Sequence, residues 1–318
     1  MANQTAEDAT QNIFKQHQLQ LLGILPARLA VLLAALNIFL SITASLSNAL
    51  ILIALHKVTS IYPPTKLLFR CLAFTDLCVG LISQPCFTVQ LIGRVTDMSE
   101  NIHYYSSQVN SASGYILCAV SILTSTAISV DRLLALTMGL RYRNVVTLRR
   151  VRTVVISVWL LSGALGGWRY SIWGLESARS VLIVLMLLSL LVSFFSYTKI
   201  YVRLRHHQLQ LHDYVHQGQP PNGGEIPLNI ARYKKTVSSI AWVQLALLTC
   251  YLPFSVIGML ITYGEIPGRV PKMAYLQSAV SVLYLNSSLN PILYCWKISE
   301  VRQAVRETIR QLNCFSAA

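Results

Sequence analysis

One carboxylate stands inside a long apolar run. Asp76 is the only charged residue between positions 71 and 93. An ionisable side chain in such a setting is costly and marks a functional site by default. Neutral polar groups lie at comparable depth in other apolar runs: Asn48, Ser121, Asn286 and Asn290. Oxygen donors around a carboxylate fit a hard monovalent cation such as sodium. The same set also fits a protonated or water-bridged Asp76 that ties helices together, and residue type leaves both readings open. A charged pair, Asp131-Arg132, closes the third apolar run. It reads either as a plain boundary ion pair or as a switch that holds the arginine until released. Enzymatic sets are not found. Within the runs there are no paired carboxylates, no histidines at metal-ligand spacing and no Ser/His arrangement, and four of the seven histidines fall at 206–216.

The elements that must position these groups are apolar and long. Hydrophobic residues make up 54% of the 318-residue chain and charged residues 12%, about half the charged fraction usual for a soluble domain. Seven segments carry almost no charge: the stretch between Arg28 and His56, then 71–93, 101–130, 153–168, 180–198, 236–264 and 273–296. A helix needs roughly 20 apolar residues to cross the hydrocarbon core. Six segments reach that length, and the fourth needs Arg152 and Arg169 to snorkel at its ends. The runs are continuous rather than alternating, which argues against a barrel. The expected fold is all-α: a seven-transmembrane helix bundle over 27–297, a polar tail at 1–26, and a short amphipathic helix with its tail at 298–318.

The net charge of +14 does not imply nucleic acid, because of where the charge sits. Lys and Arg crowd alternate gaps, around 57–70, 141–152, 199–205 and 232–235, and follow the last run at 297–310. The positive-inside rule makes that side cytoplasmic and the N-terminus extracellular, and the basic side meets anionic lipid. The tail at 1–26 has no basic region ahead of an apolar one, so no cleavable signal is expected. Asn3 begins a glycosylation sequon in that tail, whereas the sequon at Asn286 lies within the seventh run, out of reach. No cysteine falls in an expected extracellular loop, so no loop disulfide is expected, and Cys314 behind the basic helix is either a palmitoylation site or a free thiol. The linker at about 207–229 is polar with Gly and Pro, and the connection at roughly 172–178 is very short. Pro253 and Pro291 each remove a backbone donor inside a run. After them, Ile298, Val301, Val305, Ile309 and Leu312 share one helical face.

Taken in order, these residues resemble the rhodopsin-like (class A) G-protein-coupled receptors over nearly the whole chain. The matching features are Ser47-Asn48, Leu72-Ala73-Phe74-Thr75-Asp76, Asp131-Arg132-Leu133, Trp159, Tyr197, Cys250-Tyr251-Leu252-Pro253 and Asn290-Pro291-Ile292-Leu293-Tyr294. The resemblance implies a sodium and water site at Asp76, Asn48, Ser121, Asn286 and Asn290. It implies an activation switch of Asp131, Arg132, Tyr197, Tyr251, Pro253, Pro291 and Tyr294, in which the sixth helix swings about Pro253. It further implies a heterotrimeric G protein as partner, with arrestin and receptor kinase as possible others, at the plasma membrane.

The chain departs from the family pattern mostly in its outer half. Ser107 replaces the cysteine that anchors the third helix, Ser189 the fifth-helix proline, Tyr251 the toggle tryptophan and Leu247 the phenylalanine below it, while Tyr233 stands near the usual acidic lock. The missing disulfide, missing proline and tiny second outer loop are similar to the melanocortin receptors, and Leu140-Arg141-Tyr142-Arg143 and 297–302 to a broader melanocortin, adenosine and lipid-receptor cluster. Cys86, Ser107 and Ser111 occupy the places where melanocortin receptors are acidic, so melanocortin binding is not carried over. Gly114 replaces the carboxylate that an amine receptor needs, and Tyr284 the lysine that retinal needs. Gln90, Asn110, Gly114, Tyr115, Tyr263, Gln277 and Tyr284 are the ligand-binding candidates, a neutral aromatic wall for a small amphiphile, a lipid or an uncharged peptide surface. A receptor-like protein that is constitutively active or silent, and a transporter or channel, are the alternatives.

Overall fold

A backbone in hydrocarbon must satisfy its own hydrogen bonds, and the long apolar runs of this chain do so as helices. The computed structural model describes residues 26–93, 95–96, 98–168, 174–216, 245–297 and 299–316. Helix α1 spans Ala27–Lys57 and ends where Val58 turns extended. Helix α2 spans Pro63–Ile92. Its two leading prolines, Pro63 and Pro64, occupy the first turn, where no donor is needed. The α2 ladder widens to a π turn over Val79–Ser83, with the Gln84 amide bonded to the Val79 carbonyl. Pro85 explains the widening, since it brings no N–H and its ring crowds the preceding turn.

Helix α3 runs for 39 residues, Glu100–Met138, and stops at Gly139, whose φ of +52° only glycine adopts freely. A single turn at Tyr142–Val145 follows. Helix α4, Leu148–Trp168, has 21 residues and starts five ahead of the expected run. Arg149, Arg150 and Arg152 therefore ride on its first turns, and its length suffices without two snorkelling ends. Arg169 lies outside the described residues. Helix α5, Gly174–His216, is longer than expected at both ends. It takes in most of the short connection before it and the first part of the polar linker, because neither Gly nor Pro interrupts the chain before Gly218. Helices α6, Leu245–Thr262, and α7, Arg269–Lys297, precede the amphipathic α8, Ser299–Ser316.

Among the described residues, six helices are long and apolar enough to cross a membrane on composition alone. Helix α7 is not among them, although at 29 residues it is long enough. Its polar residues explain why: Ser281, Asn286, Ser287, Ser288 and Asn290 are all buried, whereas Ile292 and Tyr275 point outward. The helix turns a polar face into the bundle and an apolar face to its surroundings. The result is an all-α bundle of seven helices, with α8 lying across one end.

Packing between the helices is close-range, as expected where lipid tails are as apolar as leucine. Helix α3 joins two cores. At the basic end, Ile128 packs with Leu68, Leu72, Tyr142 and Val151. Further along, Ala119 and Ile122 pack with Met186 of α5, Phe254 of α6 and Ala279 of α7. Gly80 lets α2 approach α1, since a Cβ there would stand 2.6 Å from the Ser45 hydroxyl and 3.0 Å from its backbone nitrogen.

Helix α8 turns one edge of its apolar stripe, at Val301, onto the bundle. Val301, Ala304 and Thr308 are buried and Ile309 is exposed. Ala304 packs on Ala54 and Val58 at the end of α1. Lys57 fastens the contact, donating to Thr308 Oγ1 at 3.2 Å and to Gln311 Oε1 at 2.7 Å. The small Ala304 allows this approach, so the helix docks on protein with a face rotated from the one that its large apolar residues define.

Candidate functional site

Asp76 is fully buried in α2. Its two oxygens accept from α7: Oδ1 from the Ser287 hydroxyl at 2.8 Å and Oδ2 from the Asn290 amide at 2.7 Å. A carboxylate has about four acceptor positions, so part of its capacity remains open. The Ser121 hydroxyl of α3 is buried beside it, facing the carboxylate. A cavity of about 20 Å³ adjoins this place, lined by Leu117, Ser121, Tyr251, Asn286 and Ser287 among others.

Asn48 has a task that its type alone does not reveal. Pro291 has no N–H to give the Ser287 carbonyl four residues earlier. The Asn48 amide fills that place, donating to the Ser287 carbonyl at 2.9 Å and to the Ala44 carbonyl of its own helix at 2.9 Å. Ser287 thereby joins Asn48 to Asp76 through its two oxygens. Asn286 points elsewhere. Its amide donates at 2.8 Å to the hydroxyl of Tyr251 in α6, which is itself buried. The expected five-residue site is thus two connected arrangements, one around Asp76 and one around Tyr251. Ser287 was the residue missed, and its place three before Asn290, on the same face of α7, was the available signal.

A second cavity, of about 50 Å³, lies toward the basic end of the bundle and is lined by Phe69, Ser125, Tyr197, Leu247, Asn286 and Asn290 among others. It links the Asp76 region to Tyr197. Beyond it sits Asp131, buried and accepting three bonds. The Tyr142 hydroxyl donates to Oδ1 at 2.6 Å, and Thr65 Oγ1 and the Arg132 guanidinium each donate to Oδ2 at 2.9 Å. Arg132 is 36% exposed, and its guanidinium lies 5.8 Å over the Phe69 ring. Tyr62 braces the turn that carries Tyr142: its hydroxyl donates to the Val146 carbonyl at 2.8 Å and its ring packs against Tyr142 at 5.5 Å. The pair read from sequence as Asp131-Arg132 is therefore a four-residue lock. Thr65, from α2, carried no signal beyond its type, and Tyr142, in the turn after α3, stood out only as part of the Leu140–Arg143 resemblance.

At the opposite end, Tyr284 of α7 donates to Asn110 Oδ1 at 2.8 Å, and the Asn110 amide donates to Gln90 Oε1 of α2 at 3.2 Å. Gly114 faces the same hydroxyl, a Cβ there standing 3.6 Å from it. Tyr115 packs at the edge of the core between α3, α5 and α6. Gln277 lies one turn before Ser281 and accepts that residue's hydroxyl at its carbonyl, 3.0 Å away. Tyr263 follows the last residue of α6 and is 77% exposed, away from the Gln90, Asn110 and Tyr284 chain. Pro253 lies within α6 and Pro291 within α7. Tyr294 and Cys314 are placed on the backbones of α7 and α8, while Asn3 and Tyr233 lie outside the described residues.

The sequence is similar to those of known proteins. The profile of the 7 transmembrane receptor (rhodopsin family) matches residues 47–180 and 167–294. The chain is 25% identical to adenosine receptor A3 of Ovis aries, covering 84% of this chain and 86% of that protein. It is 22% identical to melanocortin receptor 3 of Homo sapiens, covering 87% and 85%, and 24% identical to human adenosine receptor A2b, covering 89% and 91%.

Proposed function

Because this chain belongs to the rhodopsin-like (class A) family of G-protein-coupled receptors, a receptor family and not an enzyme family, we propose that it binds a neutral or amphiphilic ligand at the outer ends of its helices and activates a heterotrimeric G protein at its basic end. The observation that carries this is the lock around Asp131, which holds Arg132 down with two further donors, Thr65 and Tyr142. An arginine held in this way is a two-state element, since outward movement of α6 about Pro253 opens a cleft into which the freed guanidinium turns. The cavity between Tyr197 and Asn290 is large enough for ordered water, which connects the lock to Asp76.

A sodium ion fits the donors around Asp76. The carboxylate supplies charge, Ser121 supplies a buried hydroxyl oxygen beside it, and the adjoining cavity is lined by both Ser121 and Asn286. Asp76 and Ser121 would hold the ion directly, and it would favour the resting arrangement in which Asn290 is bonded to Asp76. The bundle at 27–297 is the receptor body. The tail at 1–26 is extracellular with Asn3 glycosylated, and 298–318 is cytoplasmic, in the plasma membrane. Arrestin and a receptor kinase meet the same basic face.

The wall formed by Gln90, Asn110 and Tyr284 carries no charge, and Gly114 beside it has no carboxylate, which favours an uncharged ligand over an amine. Neither adenosine nor a melanocortin is carried over from the relatives. The tie that joins α2, α3 and α7 through these residues favours one second reading, a receptor with high basal activity whose outer half is already closed. The test is nucleotide exchange on purified G proteins of each class, with and without a neutral-lipid and peptide library. Basal or stimulated exchange that vanishes in Arg132→Ala supports the proposal. Exchange at background across all classes, with the receptor folded and at the surface, refutes it.

A further inference from the structure

Between α1, α7 and α8 the bundle leaves an open groove of about 630 Å³. Leu50 and Ile51 of α1, Pro291 and Ile292 of α7 and Val305 of α8 wall it. At a rise of 1.5 Å per residue, Ser47, which also lines it, lies roughly 15 Å along α1 from the end where Lys57 meets α8. The groove is therefore a channel that runs from the α8 end toward the middle of the bundle, and its walls are almost entirely apolar.

One cation lines this groove. Arg302 of α8 is half-buried there and forms no ion pair with any described residue; among those residues the only ion pair is Arg132 with Asp131. The titratable group beside it is the Cys295 thiol, not an acid. Arg306 and Arg310 follow at four-residue steps on the same side of α8 and are exposed. Of the two acids on this helix, Glu307 is engaged by the Gln303 amide at 3.1 Å, and Glu300 stands two residues before Arg302, a spacing that does not bring two positions onto one helical face. A half-buried guanidinium on an apolar wall needs an anion, and its planar fork matches phosphate.

We propose that this groove binds one anionic glycerophospholipid from the leaflet at the basic end. An acyl chain lies along α1 and α7 between Leu50 and Ile292, and the phosphate sits on Arg302. The guanidinium of Arg302, without an ion-pair partner among the described residues, favours a headgroup with net negative charge over a zwitterionic one, whose own ammonium competes for the phosphate. The bound lipid bridges α1, α8 and the Pro291 segment of α7. This holds independently of the G-protein reading, because it rests on different residues.

The full-length protein is purified in nanodiscs of phosphatidylcholine alone, or with phosphatidylserine or phosphatidylinositol bisphosphate added, and retained lipid is counted by native mass spectrometry. Wild type is expected to retain one anionic lipid in at least one of the two doped arms, in about fivefold preference over phosphatidylcholine, the worth of one arginine near an anionic surface. Arg302→Gln is expected to lose that preference and Arg310→Gln, farther along the helix, to keep it. Leu50→Trp fills the groove and is expected to lower retention of all lipids, while melting in phosphatidylcholine alone reports whether each variant folds. Equal retention of zwitterionic and anionic lipid by wild type, or an unchanged preference in a folded Arg302→Gln, overturns the proposal. So does retention that appears only in Cys314→Ser, since the occupant would then be an acyl chain carried by the protein itself.

Discussion

Replacing Tyr142 by Phe removes one hydroxyl and leaves the ring packed against Tyr62. That hydroxyl donates to Asp131 at 2.6 Å in a buried setting. A hydrogen bond to a charged group contributes about 1.5–3 kcal/mol. Asp131 keeps Thr65 and Arg132 as donors, so the carboxylate is not stranded and the fold survives. If the bond exists only while Arg132 is held, its loss moves the resting-to-active equilibrium by the same amount, roughly 10- to 150-fold. A receptor with an active fraction of about 1% would rise to between about 10% and 60%. Basal nucleotide exchange, normalised to surface receptor, should therefore climb several-fold or more in Tyr142→Phe. Thr65→Val should act in the same direction. The double variant should fall short of the sum, because the two residues touch each other at 3.1 Å and share Asp131. Unchanged basal exchange in both single variants, with melting temperatures intact, would show that this lock does not restrain the receptor.

Three other outcomes follow from the same geometry. Asn48→Ala leaves the Ser287 carbonyl opposite Pro291 without a partner and should destabilise the bundle by about 1–3 kcal/mol, read as a lower melting temperature in detergent; Asn48→Asp, which cannot donate when ionised, should not rescue it. Sodium chloride, compared with an equal concentration of choline chloride, should lower basal exchange in wild type and leave Asp76→Asn unaffected. A sodium response that persists in Asp76→Asn would place the ion elsewhere. Tyr284→Phe unties α7 from Asn110, a neutral bond worth about 1 kcal/mol. A basal exchange rate that stays flat in that variant while its melting temperature drops would make the tie purely structural.

Sequence by itself determined the spans and the basic side. Apolar length and charge position follow from the solvent that each segment must meet, and that demand acts locally on each run. It also placed Asp76 as the residue most in need of partners, because an isolated charge in an apolar run is conspicuous whatever surrounds it. It misjudged the ends of α4 and α5, where propensity continued the helix past the edge of the hydrocarbon run. Only the tertiary structure decided who the partners are. Ser287, Thr65 and Tyr142 are ordinary residues in the sequence, and they matter because helix packing brings them within 3 Å of two carboxylates. Asn48 looked like a ligand for a cation, and its amide N–H also satisfies the carbonyl that Pro291 leaves bare. The α8 stripe is the plainest case: its large apolar residues define one face, but the close approach of Ala304 to the end of α1 covers only the edge that carries Val301 and leaves Ile309 exposed. Periodicity says which sides of a helix are apolar, whereas which side is covered depends on the shape of its neighbour.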